Sequence, residues 1–380
     1  MTELLYNEDA YMERFSARVL SCVPLDAGQY EIVLDRTAFF PEQGGQTADT
    51  GTLGAVRVLD AHLREGTVRH LCDGPLGEGS QVEGRLDFAH RFSHMQQHTG
   101  EHILSGRCAH MYGCRNVGFH LSDHVVTVDY DKPLTPDQLD TLETEANRAV
   151  WANLPVRCWF PTADEAAALD YRSKKEIMDH LRIVSIPGVD DCACCAPHVR
   201  ATGEVGLIKI MSAIRYKGGV RLSILCGERA LAAVRQKQRC LDALARQMTC
   251  GEEELPQVLM KRDADLKDMR QRLAQAEAAL LLQAAEEARK AGQPTLRTEQ
   301  ADMQAMIRAA AVLAADGRSP IGVFAGTDGA GYSFCLMGDG GLTAFFDGFR
   351  QRCGARGGGD GQLIRGRCAG SWAEISACFQ

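Results

Sequence analysis

Short apolar runs separated by turns dominate the first part of the chain. They lie at residues 15–20, 30–34, 56–61 and 68–71, with Gly, Asp and Pro residues between them. Short runs at regular spacing are typical of β-strands in a small barrel or a sandwich. The pattern therefore predicts an all-β segment over residues 1–88.

Helical and extended patterns alternate in the next part of the chain. A helix is predicted over residues 89–112, and a second one begins at Thr135 with Pro136 just inside its cap. Strands are predicted at residues 116–121, 125–130, 182–186, 206–210 and 219–225. This mixture predicts an α+β domain that ends near residue 227.

The composition then shifts to Ala, Leu, Gln, Arg and Glu, and apolar residues recur in steps of four and three. Arg262 fills the one gap in this series, whose apolar members are Leu255, Leu259, Leu266, Met269, Leu273, Ala276 and Leu280. A heptad seam of this kind is typical of a long helix that serves as a spacer or as a dimerising coiled coil. We predict this helical part over residues 228–294.

The last part of the chain, residues 295–380, again mixes helix and strand. A helix is predicted at residues 307–314, and strands at 321–324 and 332–336. The glycine run at residues 354–361 is typical of a flexible loop or of a loop that cradles phosphate, and by itself it is a weak signal. The pattern predicts a small α/β domain.

Composition places the chain among ordinary globular proteins of two or three domains. The 380 residues are 45% hydrophobic and 24% charged. The acidic first residues lack the features of a secretory signal, and no apolar run reaches membrane-spanning length. The 15 cysteines are odd in number and scattered, apart from a cluster at residues 192–195. We therefore expect thiols in a cytoplasmic protein with no membrane partner.

The net charge of −8 weighs against a strongly basic nucleic-acid binder, because phosphate contacts need Lys and Arg. The net charge does not exclude local basic patches on the surface. The candidates are residues 172–175 and the tail after residue 341, where five arginines face three acidic residues. Each patch could equally be a solvent-exposed protein surface that binds no nucleic acid.

Two pairs of metal-ligating residue types, each with a spacing of four, lie far apart in the chain. His98 and His102 are on the predicted helix, where residues i and i+4 share a face. Cys194 and His198 repeat the spacing in a later segment. Three imidazole nitrogens and one sulfur make a tetrahedral zinc set. The sequence therefore predicts a Zn2+ site formed by these four residues.

Each half of this set leaves alternatives open. His90 and His94 extend the same spacing of four towards the N-terminus. The four histidines of this row, 90, 94, 98 and 102, therefore form three overlapping pairs. Cys192 and Cys195 lie beside Cys194, so the later segment has more thiols than one zinc ion needs. Taken alone, that segment would also fit a buried thiol cluster.

Glu101 lies between the two predicted histidine ligands and is a candidate general base. Helix spacing turns it about 100° from His102, which also fits a surface acid. Residues 98–102 match H-x-x-E-H as well, the signature of a class of zinc metalloproteases in which Glu101 would be the base. A further alternative is a non-catalytic RNA-binding or dimerisation protein with a structural zinc.

Residues 37–51 read T-A-F-F-P-E-Q-G-G-Q-T-A-D-T-G. Together with H-x-x-x-H at 98–102, C-x-x-x-H at 194–198 and T-G-E-V-G at 202–206, this segment resembles the editing domain of alanyl- and threonyl-tRNA synthetases and of free-standing AlaX-type proteins. The tail resembles the DHHA-type C-terminal domain of alanyl-tRNA synthetase. The resemblance thus points to the long form of the free-standing editing proteins.

The resemblance implies a trans-editing deacylase that removes serine, or glycine, from mischarged tRNA(Ala) at the zinc site. A separate hydrolytic site is physically reasonable, because one binding step separates side chains that differ by a methylene or hydroxyl only about 10–200-fold. Zinc there either activates water or holds and polarises the substrate, and the sequence leaves both open.

The resemblance also implies roles for residues outside the zinc set. The candidates for contact with the substrate are Thr37, Gly44, Gly45 and Gln46. The candidates for contact with tRNA are Arg356, Gly357, Gly358, Gly359 and Arg365. The expected partners are mischarged tRNA(Ala) and a second copy of the chain, bound through the coiled coil and the tail.

Combined with the pattern, the resemblance predicts an α+β protein of four parts. They are an N-terminal small β-barrel with the glycine-rich motif at 1–88, a zinc-containing α+β editing domain at 89–227, a helical coiled-coil linker at 228–294 and a small α/β DHHA-type domain at 295–380.

Overall fold

The computed structural model of the protein describes residues 1–173 and 181–380. It divides into two compact units, Met1–Leu241 and Asp242–Gln380. Helices and several β-sheets occur along the chain, so the predicted α+β class is confirmed. The finer division into four parts stays a prediction. Among the described residues, no helix is long and apolar enough to cross a membrane.

The first unit opens with a β-rich segment, as the apolar runs predict. Its strands are β1 (Glu3–Leu4), β2 (Arg14–Pro24), β3 (Tyr30–Leu34), β4 (Arg36–Thr37), β5 (Gly51–Leu53), β6 (Val56–Arg64), β7 (Thr67–Cys72) and β8 (Gln81–Leu86). A closed barrel has the order β2-β3-β7-β6-β5-β8, while β1 pairs with β4. Every second residue of β8 is buried, so Val82 and Leu86 join Phe15 and Ile32 in the barrel core.

Helices and two further sheets follow the barrel. The elements are α1 (Phe88–Tyr112), β9 (Asn116–Leu121), β10 (Val126–Tyr130), α2 (Pro136–Trp151), β11 (Arg157–Trp159), α3 (Ala163–Ala168), β12 (Ile183–Ile186), β13 (Asp190–Ala193), β14 (Ile208–Tyr216), β15 (Gly219–Cys226) and α4 (Gly227–Met248). One sheet has the order β14-β15-β10-β9 and the other β11-β12-β13. The helix predicted over residues 89–112 is confirmed as α1, and Thr135 caps α2 as predicted.

Helix α1 is the element on which the candidate site depends. Most of its circumference is buried, and two glycines allow other elements to approach it closely. A Cβ at Gly100 would lie 2.3 Å from Cys226 Sγ, and a Cβ at Gly106 would lie 2.4 Å from the Val189 carbonyl oxygen. These glycines lie on either side of His102 along the chain, so other elements pack closely against the helix near that histidine.

The second unit combines a long helix with a small sheet and further helices. Its elements are α5 (Leu255–Lys290), β16 (Thr295–Thr298), α6 (Met303–Ala314), β17 (Ile321–Thr327), β18 (Gly331–Met337), α7 (Leu342–Cys353), β19 (Arg356–Gly359), β20 (Leu363–Cys368) and α8 (Trp372–Ala377). The sheet has the order β16-β17-β18-β20-β19, and β16 and β17 are parallel. The rings of Phe324, Phe334 and Phe349 pack on one side of it with centroids within 6.4 Å of one another.

The predicted heptad seam lies on α5, which is one continuous helix. Several of its apolar side chains are exposed to solvent. They are Leu259, Leu266, Met269, Leu273 and Leu280. The helix agrees with the sequence pattern, and the pairing of this seam in a coiled coil stays a prediction.

The glycine-rich tail differs from the loop that a run of glycines led us to expect. Arg356–Gly359 form β19, which pairs antiparallel with β20 at the edge of the sheet. A Cβ at Gly357 would lie 2.2 Å from the Arg365 carbonyl oxygen, and a Cβ at Gly359 would lie 1.9 Å from that of Leu363. Glycine here permits a close strand pairing, because any side chain would clash with the neighbouring backbone.

Candidate metal centre

His98, His102, Cys194 and His198 converge in the first unit, and we call them the candidate metal centre. One nitrogen of each histidine and the Cys194 sulfur lie within 4.8 Å of one another. Nε2 of His98 lies 3.5 Å from this sulfur, and Nε2 of His198 lies 3.4 Å from it. The three histidines are buried and Cys194 is half-buried. α1 supplies the first pair, and the segment after β13 supplies the second.

These separations suit a tetrahedral zinc ion. Bonds of about 2.0–2.1 Å to nitrogen and about 2.3 Å to sulfur, at the tetrahedral angle, place the two donor atoms roughly 3.5 Å apart. The observed 3.4 Å and 3.5 Å agree with that edge length. Imidazole and thiolate ligands favour zinc over magnesium or calcium. The residues present therefore fit the predicted ion.

Two of the histidines have polar partners at their other ring nitrogen. Nδ1 of His98 lies 2.8 Å from Gln46 Oε1, and Nδ1 of His198 lies 3.0 Å from Thr99 Oγ1. Because an amide oxygen only accepts, the proton of His98 is on Nδ1. Partners of this kind fix the orientation of the ring and leave Nε2 for a metal.

The third histidine, His102, faces a carboxylate. Its Nδ1 lies 3.2 Å from Asp190 Oδ2, and Arg172 donates to both oxygens of the same carboxylate at 2.6 Å and 2.7 Å. Arg172 therefore belongs to a partly buried ion pair behind the candidate metal centre. It is not a solvated member of the basic patch expected around it, whose Lys174 and Lys175 lie outside the described residues.

The additional cysteines differ from Cys194 in their surroundings. Burial raises the pKa of Cys192 to about 11 and that of Cys195 to about 12, so both keep their protons at neutral pH. Cys192 lies within ligand distance of His102 and Asp190, whereas Cys195 belongs to none of the described metal-ligating groups. Burial lowers the pKa of His198, which favours the neutral imidazole that a metal requires. None of the 15 cysteines, all of them in the described residues, forms a disulfide.

The glycine-rich segment runs beside His98. Gly44 and Gly45 have φ angles of 66° and 88°, which favour glycine, and a Cβ at Gly45 would lie 2.5 Å from the Phe119 carbonyl oxygen. Gln46 is buried, and its Nε2 has no hydrogen-bond partner among the described residues. A buried donor without a partner next to a metal ligand is a candidate contact for a substrate.

Thr37 lies inside the barrel. Its hydroxyl is 2.9 Å from His70 Nε2 and accepts a hydrogen bond from the Phe39 N–H. Nδ1 of His70 lies 3.0 Å from the Ile32 carbonyl oxygen and donates to it, so Nε2 accepts from Thr37. The hydroxyl thus has internal partners, and its contact with substrate stays a prediction.

Glu101 is only 1% exposed, so the surface-acid alternative is wrong. Its Oε1 accepts hydrogen bonds from the Ser105 hydroxyl and the Asn116 amide. The Ser105 hydroxyl also lies 3.0 Å from that of Tyr130. Glu101 therefore belongs to a buried polar network on α1, and its role as general base stays a prediction.

The residues predicted to contact tRNA all lie in the second unit. They are Arg356, Gly357, Gly358, Gly359 and Arg365, and each is exposed. Because β19 is an edge strand, this hairpin presents two guanidinium groups to solvent. Its contact with tRNA stays a prediction.

Sequence reasoning missed three residues that surround the ligands. Thr99 and Asp190 each carried a weak signal, because one follows His98 directly and the other lies close to the cysteine cluster. Metal-bound histidines usually have a hydroxyl, carbonyl or carboxylate partner, so polar residues near a ligand motif are reasonable candidates. Arg172 carried no such signal, since its pairing with Asp190 depends on how β13 packs.

The chain is similar in sequence to proteins of known families. The family model described as the threonyl and alanyl tRNA synthetase second additional domain matches residues 181–222. The alanyl-tRNA editing protein Aarsd1 of Rattus norvegicus is 30% identical over 274 residues, which cover 68% of this chain and 66% of that protein. Aarsd1 of Danio rerio is 34% identical over 240 residues, 59% of this chain and 58% of that protein.

A synthetase is also similar. The alanine–tRNA ligase of Halobacterium salinarum is 33% identical over 310 residues, which cover 73% of this chain and 32% of the ligase. The matched part of this chain thus spans less than two thirds of each Aarsd1 protein and about one third of the ligase.

Proposed function

Because this chain belongs to the family of alanyl-tRNA editing proteins, we propose that it is a trans-editing aminoacyl-tRNA deacylase. Its proposed substrate is tRNA(Ala) mischarged with serine, and glycine-charged tRNA(Ala) is a second substrate. The observation that carries the proposal is the convergence of His98, His102, Cys194 and His198 beside the buried amide of Gln46.

The donor set supports zinc as the resident ion, held by these four side chains. Zinc held there would supply positive charge close to the ester carbonyl of the substrate. Thr99, Gln46 and Asp190 hold the three imidazoles in the orientation that this requires.

Gln46 has two functions in this proposal. Its oxygen accepts from His98 Nδ1, and its Nε2 is a buried donor with no partner among the described residues. A donor of this kind can donate a hydrogen bond to the hydroxyl oxygen of a seryl group, which supports serine as the preferred amino acid. The left-handed backbone of Gly44 and Gly45 shapes the turn that directs Gln46 to this position.

The partners of the whole protein follow from the same proposal. Mischarged tRNA(Ala) contacts the exposed arginines of the β19–β20 hairpin, and two copies of the chain pair through the exposed seam of α5. We place the protein in the cytoplasm for two reasons. Its scattered cysteines suit a reducing compartment, and its proposed substrate is made for translation.

The proposal is tested by the release of serine from serine-charged tRNA(Ala) by the purified protein, with zinc content measured on the same samples. His98→Ala and Cys194→Ala are expected to lose both zinc and serine release. The matched controls are His110→Ala, an exposed histidine of α1, and Cys240→Ala, an exposed cysteine, and both are expected to behave as wild type.

Three results would contradict the proposal. Serine release that survives the combined His98→Ala and Cys194→Ala substitutions would remove the centre from the reaction. Cleavage of a peptide substrate would instead indicate a metalloprotease. Retention of charged tRNA without release would indicate a binding protein with a structural zinc.

A further inference from the structure

A second group of metal-ligating side chains lies on α1, on the N-terminal side of the candidate metal centre. It consists of His90, His94 and Asp123, whose donor atoms lie within 4.8 Å of one another. Asp123 Oδ1 lies 2.7 Å from His90 Nε2 and 3.6 Å from His94 Nε2. The helix supplies both histidines with a spacing of four, and the turn between β9 and β10 supplies the carboxylate.

The hydrogen bonds of His94 determine which of its nitrogens can bind a cation. Nδ1 lies 3.0 Å from the His90 carbonyl oxygen, which only accepts, so the proton of a neutral ring is on Nδ1. The lone pair of Nε2 then faces Asp123 Oδ1, and two acceptors face each other across 3.6 Å. The Thr47 hydroxyl lies 3.2 Å from Nε2 and can donate a hydrogen bond to it. A cation between the nitrogen and the carboxylate would bind both acceptors, and it would displace the proton that His90 Nε2 donates to Asp123.

We propose that His90, His94 and Asp123 form a second site for a divalent cation of the zinc class, separate from the candidate metal centre. Two imidazoles and one carboxylate are a ligand set that zinc uses where a further position is left for water or another oxygen donor. The His94 side chain is buried and that of Asp123 is 57% exposed, so the histidine forms the floor of the site and the carboxylate its open side.

The exposure of Asp123 lets the geometry adjust to an ion. Bonds of about 2.0–2.2 Å to nitrogen and oxygen place two tetrahedral ligands roughly 3.3–3.5 Å apart. The separation between His94 and Asp123 already matches this edge, and that between His90 and Asp123 is shorter by less than 1 Å. A small rotation of a solvent-exposed carboxylate supplies the difference.

One cation already lies beside the carboxylate. Nη2 of Arg229 is 4.0 Å from Asp123 Oδ1, while its Nε and Nη1 donate to Ser93 Oγ and the Ser122 carbonyl oxygen. Those two bonds hold the guanidinium beside the carboxylate. The charge of the guanidinium weakens the attraction for a second cation, so this site binds zinc less tightly than the candidate metal centre.

The test uses the full-length protein titrated with Co2+, which has visible absorption and replaces zinc. Ions in the candidate metal centre give a charge-transfer band from the Cys194 thiolate, whereas ions held by nitrogen and oxygen alone do not. After the thiolate band has reached its full intensity, wild type is expected to bind one further equivalent of Co2+. His90→Ala and Asp123→Asn are each expected to lose that equivalent and to keep the thiolate band.

Matched variants separate this site from other ligands. His110→Ala removes an exposed histidine of the same helix that belongs to none of the described metal-ligating groups, and Cys240→Ala removes an exposed thiol. Both should keep the further equivalent. The proposal is overturned if wild type and His90→Ala bind the same number of ions, or if Cys240→Ala loses the further equivalent. Since the thiolate band reports the candidate metal centre separately, failure here leaves the proposed function untouched.

Discussion

The carboxylate of Asp190 lies 3.2 Å from Nδ1 of His102, and both side chains are buried. Burial opposes ionisation of Asp190, but its contacts with His102 and Arg172 outweigh this and hold the carboxyl pKa below its usual value. A charged carboxylate at this position orients the imidazole and makes it a stronger metal ligand. The pair is thus a positioning device for the candidate metal centre.

Replacing Asp190 by Asn should weaken zinc binding about 10–100-fold, because the variant loses the charge behind His102. Competition with a chromophoric chelator measures this affinity. Asp191→Asn is the matched control, since the neighbouring side chain points to the other face of β13. Because the change also leaves Arg172 without its anion, the measurement is made on protein whose circular dichroism shows the folded state. Equal affinity of Asp190→Asn and wild type would contradict the assignment.

Gln46→Ala should reduce serine release about 10–100-fold, since it removes the partner of His98 Nδ1. It should also reduce the preference for serine over alanine, because the orphaned Nε2 donor disappears with it. Steady-state rates on tRNA(Ala) charged with each amino acid measure both effects. Gln43→Ala, in the same segment, serves as the control, and an unchanged preference in Gln46→Ala would remove the amide from recognition.

The stability of the first unit should fall in mild acid because of His70. Burial lowers the pKa of this histidine to about 4, from 6.5 in the unfolded chain. Between these values the unfolded chain binds a proton that the folded chain excludes, so stability is full above pH 6.5 and is lost towards pH 4. At pH 5 the loss from this residue is about 2 kcal/mol.

Urea unfolding at pH 7 and pH 5 checks this expectation. His70→Gln should lose less stability between the two pH values than wild type, because glutamine does not titrate. His110→Gln, which replaces an exposed histidine, should retain the wild-type difference. Identical pH dependence in all three proteins would show that His70 is not the titrating group.

Arg91 and Asp49 form a buried ion pair between α1 and the glycine-rich segment. Nε of Arg91 donates to the two carboxylate oxygens at 2.9 Å and 3.0 Å, and neither side chain is more than 1% exposed. Arg91→Met leaves the carboxylate buried without a counter-charge, which should cost about 3–5 kcal/mol of unfolding free energy.

The matched control for this pair is an exposed one. Arg14 lies 3.9 Å from Glu83, and both side chains are more than half exposed. Arg14→Met should therefore change the free energy of unfolding by only about 0–1 kcal/mol. Urea denaturation of both variants gives the comparison, and similar losses would mean that burial does not set the strength of the first pair.

Alanine at both Arg356 and Arg365 should weaken tRNA binding similarly for all tRNA sequences, because these side chains would contact phosphates. The slope of log affinity against log salt should fall by about 1 for each lost contact. Filter binding over a range of salt concentrations measures both quantities. Arg308→Ala, an exposed arginine of α6 in the same unit, should leave the slope unchanged. If the double variant keeps the wild-type slope, the β19–β20 hairpin does not bind tRNA.

Local periodicity explains why much of the fold could be predicted. Strand runs, the helix now observed as Phe88–Tyr112 and the cap at Thr135 depend on neighbouring residues, and the structure confirms them. The structure of the glycine run near the C-terminus was harder to predict from the sequence, because glycine occurs both in loops and in closely paired strands. Only its pairing with β20 showed that Arg356–Gly359 form a strand.

The sequence by itself determined the candidate ligands, because a spacing of four places two side chains on one helical face wherever the helix lies. The spacing alone leaves three overlapping histidine pairs on this helix, and the choice of His98 and His102 rested on their combination with Cys194 and His198. The tertiary structure decided that His98 and His102 meet Cys194, whereas His90 and His94 meet Asp123. It also decided that Asp190 supports His102. The physical reason is that spacing along one helix is a local property of the backbone, whereas contacts between distant segments depend on how the whole unit packs.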